Sequence, residues 1–200
     1  MPKLLIYYAH PGQRFSRANA AMWARAKTVD GATCVDLYAE YPRFDIDVDR
    51  EQRRLLEHDV IVFQFPVFWY STPSLLKEWQ DLVLEHGFAY GHEGTRLAGK
   101  AVQLAVTTAG PESAYAATGH NRYPIRVYLR PLEQTTRLCN MTFLAPLVLF
   151  GALKAENSAQ IEQNAESYGQ LLAGLSTGRV PVEEAASDAV LTFETVGEKA

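Results

Sequence analysis

Three stretches of the chain carry residue types that could hold and work on a ligand. The first is residues 10–19, HPGQRFSRAN, in which His10-Pro11-Gly12 turns the chain and Ser16, Arg17, Ala18 and Asn19 open a helix. First-turn N–H groups of a helix have no carbonyl partner and lie at the positive end of its dipole, so a phosphate is at home there. The second is Pro66-Val67-Phe68-Trp69, where Trp69 could lie against a ring and the Val67, Phe68 and Trp69 N–H groups could reach ring heteroatoms. The third, Thr107-Thr108-Ala109-Gly110, offers two hydroxyls and small residues that let a flat ligand approach the backbone. Each has an ordinary explanation when taken alone: a capped helix beside a turn histidine, an aromatic cluster closing the core, a strand-to-loop turn. Together they describe a phosphate at one end and a planar heterocycle held edge-on by backbone at the other. FMN fits that description, and so does the FMN part of FAD.

The elements that must position these loops are buried strands. Residues 60–65, VIVFQF, form a short run of apolar, β-branched and aromatic residues, as a strand covered on both faces requires. Pro66 stops it, and Pro73 suits the first turn of a helix whose Leu75, Leu76, Trp79, Leu82 and Val83 recur at helical spacing. Residues 3–9 and 100–106 read as strands of the same kind, residues 33–37 as a shorter one, and residues 140–149 as a fifth that Pro146 assigns to an edge. Helices are expected after Ser16, with Ala18, Met22, Trp23 and Ala26 inward and Asp30-Gly31 as the stop; over 50–57, capped by Asp49; over 123–138, kinked or split by Pro131; and over 158–175. Residues 38–49 and the glycine-rich, aromatic stretch 86–99 read as loops. Strands alternating with helices give an α/β fold, a flavodoxin-like three-layer sandwich with a five-stranded parallel sheet in order 2-1-3-4-5 and helices on both faces. The domain is expected over 1–175, with 176–200 a tail that packs on the body or on a partner.

Composition narrows the function classes. The 200 residues carry a net charge of −4 with no Lys/Arg cluster, which argues against nucleic-acid binding. Cys34 and Cys139 both sit in apolar contexts and read as core residues. No metal site is expected: His92-Glu93 is not part of HExxH, and Asp45, Asp47 and Asp49 lack the Gly and Glu of a calcium loop. Ser71 is not in GxSxG, and there is neither GxGxxG nor a Walker A lysine. Met1-Pro2-Lys3 leads into a strand with no cleavage site, and no apolar run reaches the ~20 residues of a membrane span, so a soluble intracellular protein is expected.

Four segments together carry a family likeness: IYYAHP with SRAN downstream, PVFWYSTPSLLKEW, HGFAYGHEGTRLAGK, and TTAGPES. Over about residues 3–175 the chain resembles the NAD(P)H:quinone reductase family of flavodoxin-like proteins, most of all the ancillary oxidoreductases of glutathione-gated potassium efflux systems. The resemblance implies flavin binding at His10, Ser16, Arg17, Ala18, Asn19, Pro66, Val67, Phe68, Trp69, Thr107, Thr108, Ala109 and Gly110. It implies NAD(P)H as co-substrate and a quinone or similar electrophile as acceptor, reduced by ping-pong transfer of two electrons as hydride. Tyr115 and His120 fall near catalytic positions that support negative charge on the reduced ring, and Tyr90 and His92 near positions that reach the substrate pocket from the other subunit of a homodimer. Ala109 stands where a glycine is common, with Pro111 directly after Gly110. The resemblance also implies a cytoplasmic protein, peripheral to the cell membrane when docked on a potassium/proton antiporter. Chain length favours FMN over FAD.

Overall fold

The computed structural model describes residues 1–12, 16–153, 158–187 and 189–196. Its centre is a parallel sheet. Strands β1 (Leu4–Tyr8), β3 (Val60–Pro66) and β4 (Ala101–Thr107) are buried at every position, which is why their sequences show no polar alternation. The short β2 (Thr33–Asp36) lies at one edge. The expected fifth strand is divided into β5 (Thr142–Phe143) and β6 (Leu147–Leu149), both paired with β4. Pro146 lies in the gap, where it has no N–H to give the ladder. The order is β2-β1-β3-β4-β5, with β6 also on β4.

The helices are α1 (Arg17–Ala26), α2 (Leu37–Glu40), α3 (Val48–Glu57), α4 (Ser74–Val83), α5 (Ile125–Leu138) and α6 (Ser158–Thr177), followed by the single turns α7 (Val182–Ala185) and α8 (Phe193–Val196). Alternate residues of each strand feed opposite faces. Leu4, Ile6, Val60, Val62 and Ala105 pack under α1 and α6, and Leu5, Tyr7, Ile61, Phe63 and Leu104 pack under α3, α4 and α5.

Several boundaries differ from the sequence expectation. Helix α1 ends at Ala26, before Asp30-Gly31, and Gly31 takes a φ of 75° in the turn toward β2. Asp47 rather than Asp49 caps α3, its Oδ1 accepting from the Arg50 N–H at 3.0 Å, and Asp49 falls in the first turn, where its charge suits the dipole. Residues 37–40, of which 37 is expected to end β2 and 38–40 to be loop, make one helical turn, with Asp36 Oδ1 accepting from the Ala39 N–H at 3.2 Å. Pro131 lies inside α5, which continues as one helix. Leu82, placed on the inner face of α4 by its spacing, is exposed.

One polar knot ties the α3/α4 side together. Glu51 of α3 has no exposed surface, and it accepts from the hydroxyls of Tyr7 (2.5 Å) and Tyr41 (2.6 Å), Trp79 Nε1 (3.0 Å) and Arg54 Nη1 (2.5 Å). Burial, with the Glu51 charge next to it, pushes the Tyr7 hydroxyl well above its ordinary range. A buried carboxylate needs such a donor set, because an unpaired buried charge is very costly.

The described part of the segment after α6 lies on the body. Val180, Ala185, Leu191 and Val196 are buried against the α6 side of the core. The Ala145 N–H donates to Ala185 O (2.9 Å), the Val148 N–H to Leu191 O (2.8 Å), and the Leu191 N–H to Pro146 O (2.9 Å). Arg126 of α5 donates to the carbonyls of Ser187 (3.2 Å) and Ala189 (3.1 Å).

Candidate functional site

Parallel register brings the predicted loops to one edge. Tyr8 pairs with Gln64, Pro66 with Thr107, and Thr107 with Leu149, so four carboxyl ends lie side by side. Strand order reverses between β1 and β3, the place where open α/β sheets form a ligand crevice. Hydrogen bonds carry the ladder past the strands: Ala9 N–H to Gln64 O (2.9 Å), Val67 N–H to Thr107 O (2.8 Å) and Thr108 N–H to Leu149 O (2.9 Å). The loops therefore have a rigid floor.

Over that floor is a cavity of about 330 Å³. It is lined by His10, Ser16, Arg17, Asn19, Pro66, Val67, Phe68, Thr107, Thr108 and Ala109, and also by Ala152, Leu153 and Ile161. The first ten are residues the sequence singled out. Ala18 is buried beneath the cavity rather than on its wall, and Gly110 is tied into the third loop, its carbonyl accepting from Thr108 Oγ1 (2.9 Å) and from the Gly151 N–H (2.9 Å). Ala152, Leu153 and Ile161 were missed. Ala152 and Leu153 follow the fourth carboxyl end, after β6, and the rule that singles out the other loops selects this one too, since the expected fifth strand also ends at 149; Ile161 lies on α6.

The phosphate end differs from a plain capped helix. Ser16 is the N-cap residue of α1, yet its side chain caps no backbone N–H; instead Ser16 Oγ accepts from Asn19 Nδ2 at 3.2 Å. Among the described residues no side chain caps the first turn, and Ser16 and Arg17 line the cavity at that end. Asn19 Oδ1, in a side chain that is 1% exposed, takes no donor from the described residues. A ligand hydroxyl is what such an acceptor needs. A helix terminus that no described side chain caps, an acceptor with no described donor and small apolar walls together fit a phosphorylated polyol joined to a flat ring.

The aromatic loop is arranged differently from expectation. The Val67 N–H is spent on Thr107 O and the Phe68 N–H on Ser71 O (3.0 Å), so neither is left for ring heteroatoms. The Ser71 N–H donates back to Phe68 O (3.0 Å), and Trp69 and Tyr70 between them have φ of 49° and 64°. That is the pattern of a type I′ two-residue turn, which usually holds Asn-Gly. Trp69 is 94% exposed and is not on the cavity wall of its own chain. Tyr70 is anchored, stacked on Tyr128 at 5.0 Å between centroids, with its hydroxyl 3.2 Å from Asn121 Oδ1.

His10 sits on the wall, edge-on to Phe68 at 5.8 Å, and its Nδ1 accepts from the Gly12 N–H at 3.0 Å. Burial lowers its pKa, with the Asp36 charge opposing, so it is neutral at pH 7 with its proton on Nε2. Tyr115 ends a 3₁₀ turn (Glu112–Tyr115) and packs against Phe150 at 5.6 Å and Tyr128 at 6.1 Å. Burial raises its hydroxyl above the ordinary tyrosine value, the Thr108 side chain offsetting part of the rise. His120 is exposed, and neither it nor Tyr115 lines the cavity. Tyr90 is half-buried against His86 (5.5 Å, edge-on) and His92 is exposed; neither lines the cavity of the same chain.

Among the described residues, no group of three or more His, Cys, Asp or Glu could hold a metal, and no helix is long and apolar enough to cross a membrane.

Known proteins agree with this architecture. A family model described as "Flavodoxin-like fold" matches residues 2–172. The glutathione-regulated potassium-efflux system ancillary protein KefG of Serratia proteamaculans is 46% identical over 171 residues, 86% of this chain and 93% of that protein. Among solved structures, general stress protein 14 of Treponema denticola, in complex with FMN, superposes with a TM-score of 0.80 and 36% identity over 87% of this chain and 99% of that one. An NADPH-quinone reductase from P. pentosaceus gives a TM-score of 0.74 and 29% identity over 85% and 97%. With the strand order, the switch-point cavity and a match over residues 2–172, the chain belongs to the flavodoxin-like fold family, where its relatives include KefG ancillary proteins.

Proposed function

We propose that this chain is a flavin-dependent NAD(P)H oxidoreductase that reduces quinones or similar small electrophiles. The observation that carries the reading is the cavity at the strand-order switch, lined by the three predicted loops, with the α1 N-cap Ser16 at one end making no side-chain cap of its own. The FMN held by the Treponema denticola neighbour supports FMN over FAD, and the likeness to the NADPH-quinone reductase of P. pentosaceus supports the reaction class. Ser16, Arg17 and the first-turn N–H groups of α1 would hold the phosphate, and Asn19 Oδ1 would accept from the polyol. Pro66, Val67, Phe68, Thr107, Thr108 and Ala109 would flank the ring. Bound there, FMN would supply a ring that accepts hydride from NAD(P)H and yields it to the acceptor.

The protein's own part is binding, orientation and electrostatics. His10, neutral through burial, offers a donor at Nε2 without placing a cation on the wall. Tyr115, kept protonated at pH 7, would be the donor for charge developing at the ring edge, with His120 as the second candidate. Trp69 would cover a bound substrate, and in a homodimer Tyr90 and His92 of one subunit would approach the cavity of the other. NAD(P)H and the acceptor would take turns at the exposed ring face, in a ping-pong order.

A second reading is favoured by the 46% identity to KefG: an ancillary subunit docked on a potassium/proton antiporter at the cytoplasmic face of the membrane. The test is the visible spectrum of the purified protein, followed by heat release and identification of the chromophore. FMN bands bleached by NAD(P)H and restored by a quinone support the first reading. A colourless protein that takes up no flavin overturns it, and co-purification with an antiporter then leaves the second.

A further inference from the structure

The candidate site rests on a buried amide network that no loop motif announces. Gln64, inside β3 with no exposed surface, donates from Nε2 to the backbone carbonyl of Asn19 at 2.8 Å. Asn19 is 1% exposed and donates from Nδ2 to Thr107 Oγ1 at 2.8 Å and to Ser16 Oγ at 3.2 Å. The first turn of α1 is thereby fixed to β3 by one bond and to the end of β4 by another. The same Asn19 amide engages the Ser16 hydroxyl, which would otherwise cap the first-turn N–H groups as N-cap serines do. A buried Gln in an otherwise apolar central strand is costly unless it is bonded, and here its amide N–H is spent on the element that carries the anion end.

We propose that Asn19 and Gln64 are positioning residues that keep the α1 terminus open and fixed for the phosphate of the flavin, so that together they set the preference for the phosphorylated cofactor over its dephosphorylated form. The proposal rests on the flavin reading above. Neither residue need touch the phosphate. Asn19 withholds the competing hydroxyl, and Gln64 sets where the helix begins relative to the ring loops. Two acceptors, Asn19 Oδ1 and Gln64 Oε1, take no donor from the described residues, so the amides are oriented by what their N–H groups hold.

The test compares dissociation constants for FMN and riboflavin, by fluorescence titration of flavin-free protein, in wild type, Gln64→Met and Asn19→Ala. Gln64→Met keeps the length of the side chain and removes the bond. Asn19→Ala suits a helix and releases Ser16 to cap. We expect FMN affinity to fall about tenfold in Gln64→Met with riboflavin affinity held within about twofold; Asn19→Ala also removes the polyol acceptor, so both flavins weaken there, and FMN should lose about tenfold more than riboflavin. A loosened fold would weaken both ligands alike. Equal losses for the two flavins, or an unchanged ratio, overturn the proposal while leaving the flavin reading intact. Wild-type protein that binds neither flavin overturns both. If Gln64→Met does not fold, the Asn19→Ala ratio decides alone.

Discussion

Replacing Trp69 by Asn should stabilise the protein while weakening its use of substrate. The two-residue turn between Phe68 and Ser71 places Trp69 at φ 49°, where an ordinary L-residue is disfavoured by about 1–2 kcal/mol and Asn is tolerated. The indole is 94% exposed, so its removal forfeits almost no burial in this chain. Tyr70, also left-handed, is held by its stack on Tyr128 and should not be changed. Relief of strain against a near-zero packing loss gives a net gain of about 0.5–1 kcal/mol, or about 2 °C in Tm for a chain of this length. The assay is urea unfolding of flavin-free protein followed by far-UV circular dichroism, where a higher midpoint at unchanged slope reports stability alone. Trp69→Val is the control, since β-branching is least tolerated there, and its midpoint should fall. In parallel, steady-state quinone reduction by Trp69→Asn should show a raised KM for the acceptor. A midpoint below wild type by about 0.5 kcal/mol or more would refute the strain reasoning and mean that the indole is packed against something, such as a second subunit.

Three further outcomes are expected. Glu51→Ala leaves Tyr7, Tyr41, Trp79 and Arg54 without their shared acceptor and should cost about 3–5 kcal/mol in chemical denaturation; a loss under 1 kcal/mol would show that the knot contributes little. His10 has a folded-state pKa below its ordinary value of about 6.5, so the unfolded chain binds the extra proton first and stability falls as pH drops through the window below about 6.5. That part of the decline should be missing in His10→Gln when unfolding midpoints are compared across pH 5 to pH 8. Ending the chain after Thr177 uncovers the core side chains that Val180, Leu191 and Val196 shield and should lower the thermal midpoint by several degrees; an unchanged melt would mean that these contacts are not made in solution.

Much of the site was legible because buried parallel strands leave a plain record. Their continuous apolar runs locate the carboxyl ends, and the residues just beyond those ends are His10, Pro66 and Thr107. The runs do not record which N–H groups the ladder consumes. Val67 and Phe68 looked available because their partners, Thr107 O and Ser71 O, depend on register and on a turn that Trp-Tyr does not advertise. Ala152 and Leu153 follow the expected strand end at 149, but they carry no polar group, and Pro146 assigned that strand to an edge, so nothing marked them as ligand-facing. The cap at Asp47 rather than Asp49 turned on a two-residue shift among three alternating aspartates that only the fold decides. Gln64 was hidden for a different reason. A single amide inside an apolar run reads as an exception, and its bond crosses 45 positions of chain to the Asn19 carbonyl.

The backbone bonds from Leu191 to Val148 and Pro146 have a consequence for assembly. An edge strand with open N–H and C=O groups is a template on which another chain can grow a sheet. Here the border beyond β6 is sealed by the chain's own last segment, with Arg126 fastening the approach at Ser187 and Ala189. Growth by strand addition is blocked along β6, the two-residue β5 beside it is short, and β2 on the opposite side offers only four residues. Any partner would therefore meet this molecule mostly through side chains on its helices and loops. Recognition of that kind can be tuned one substitution at a time, and it carries little risk of runaway polymerisation.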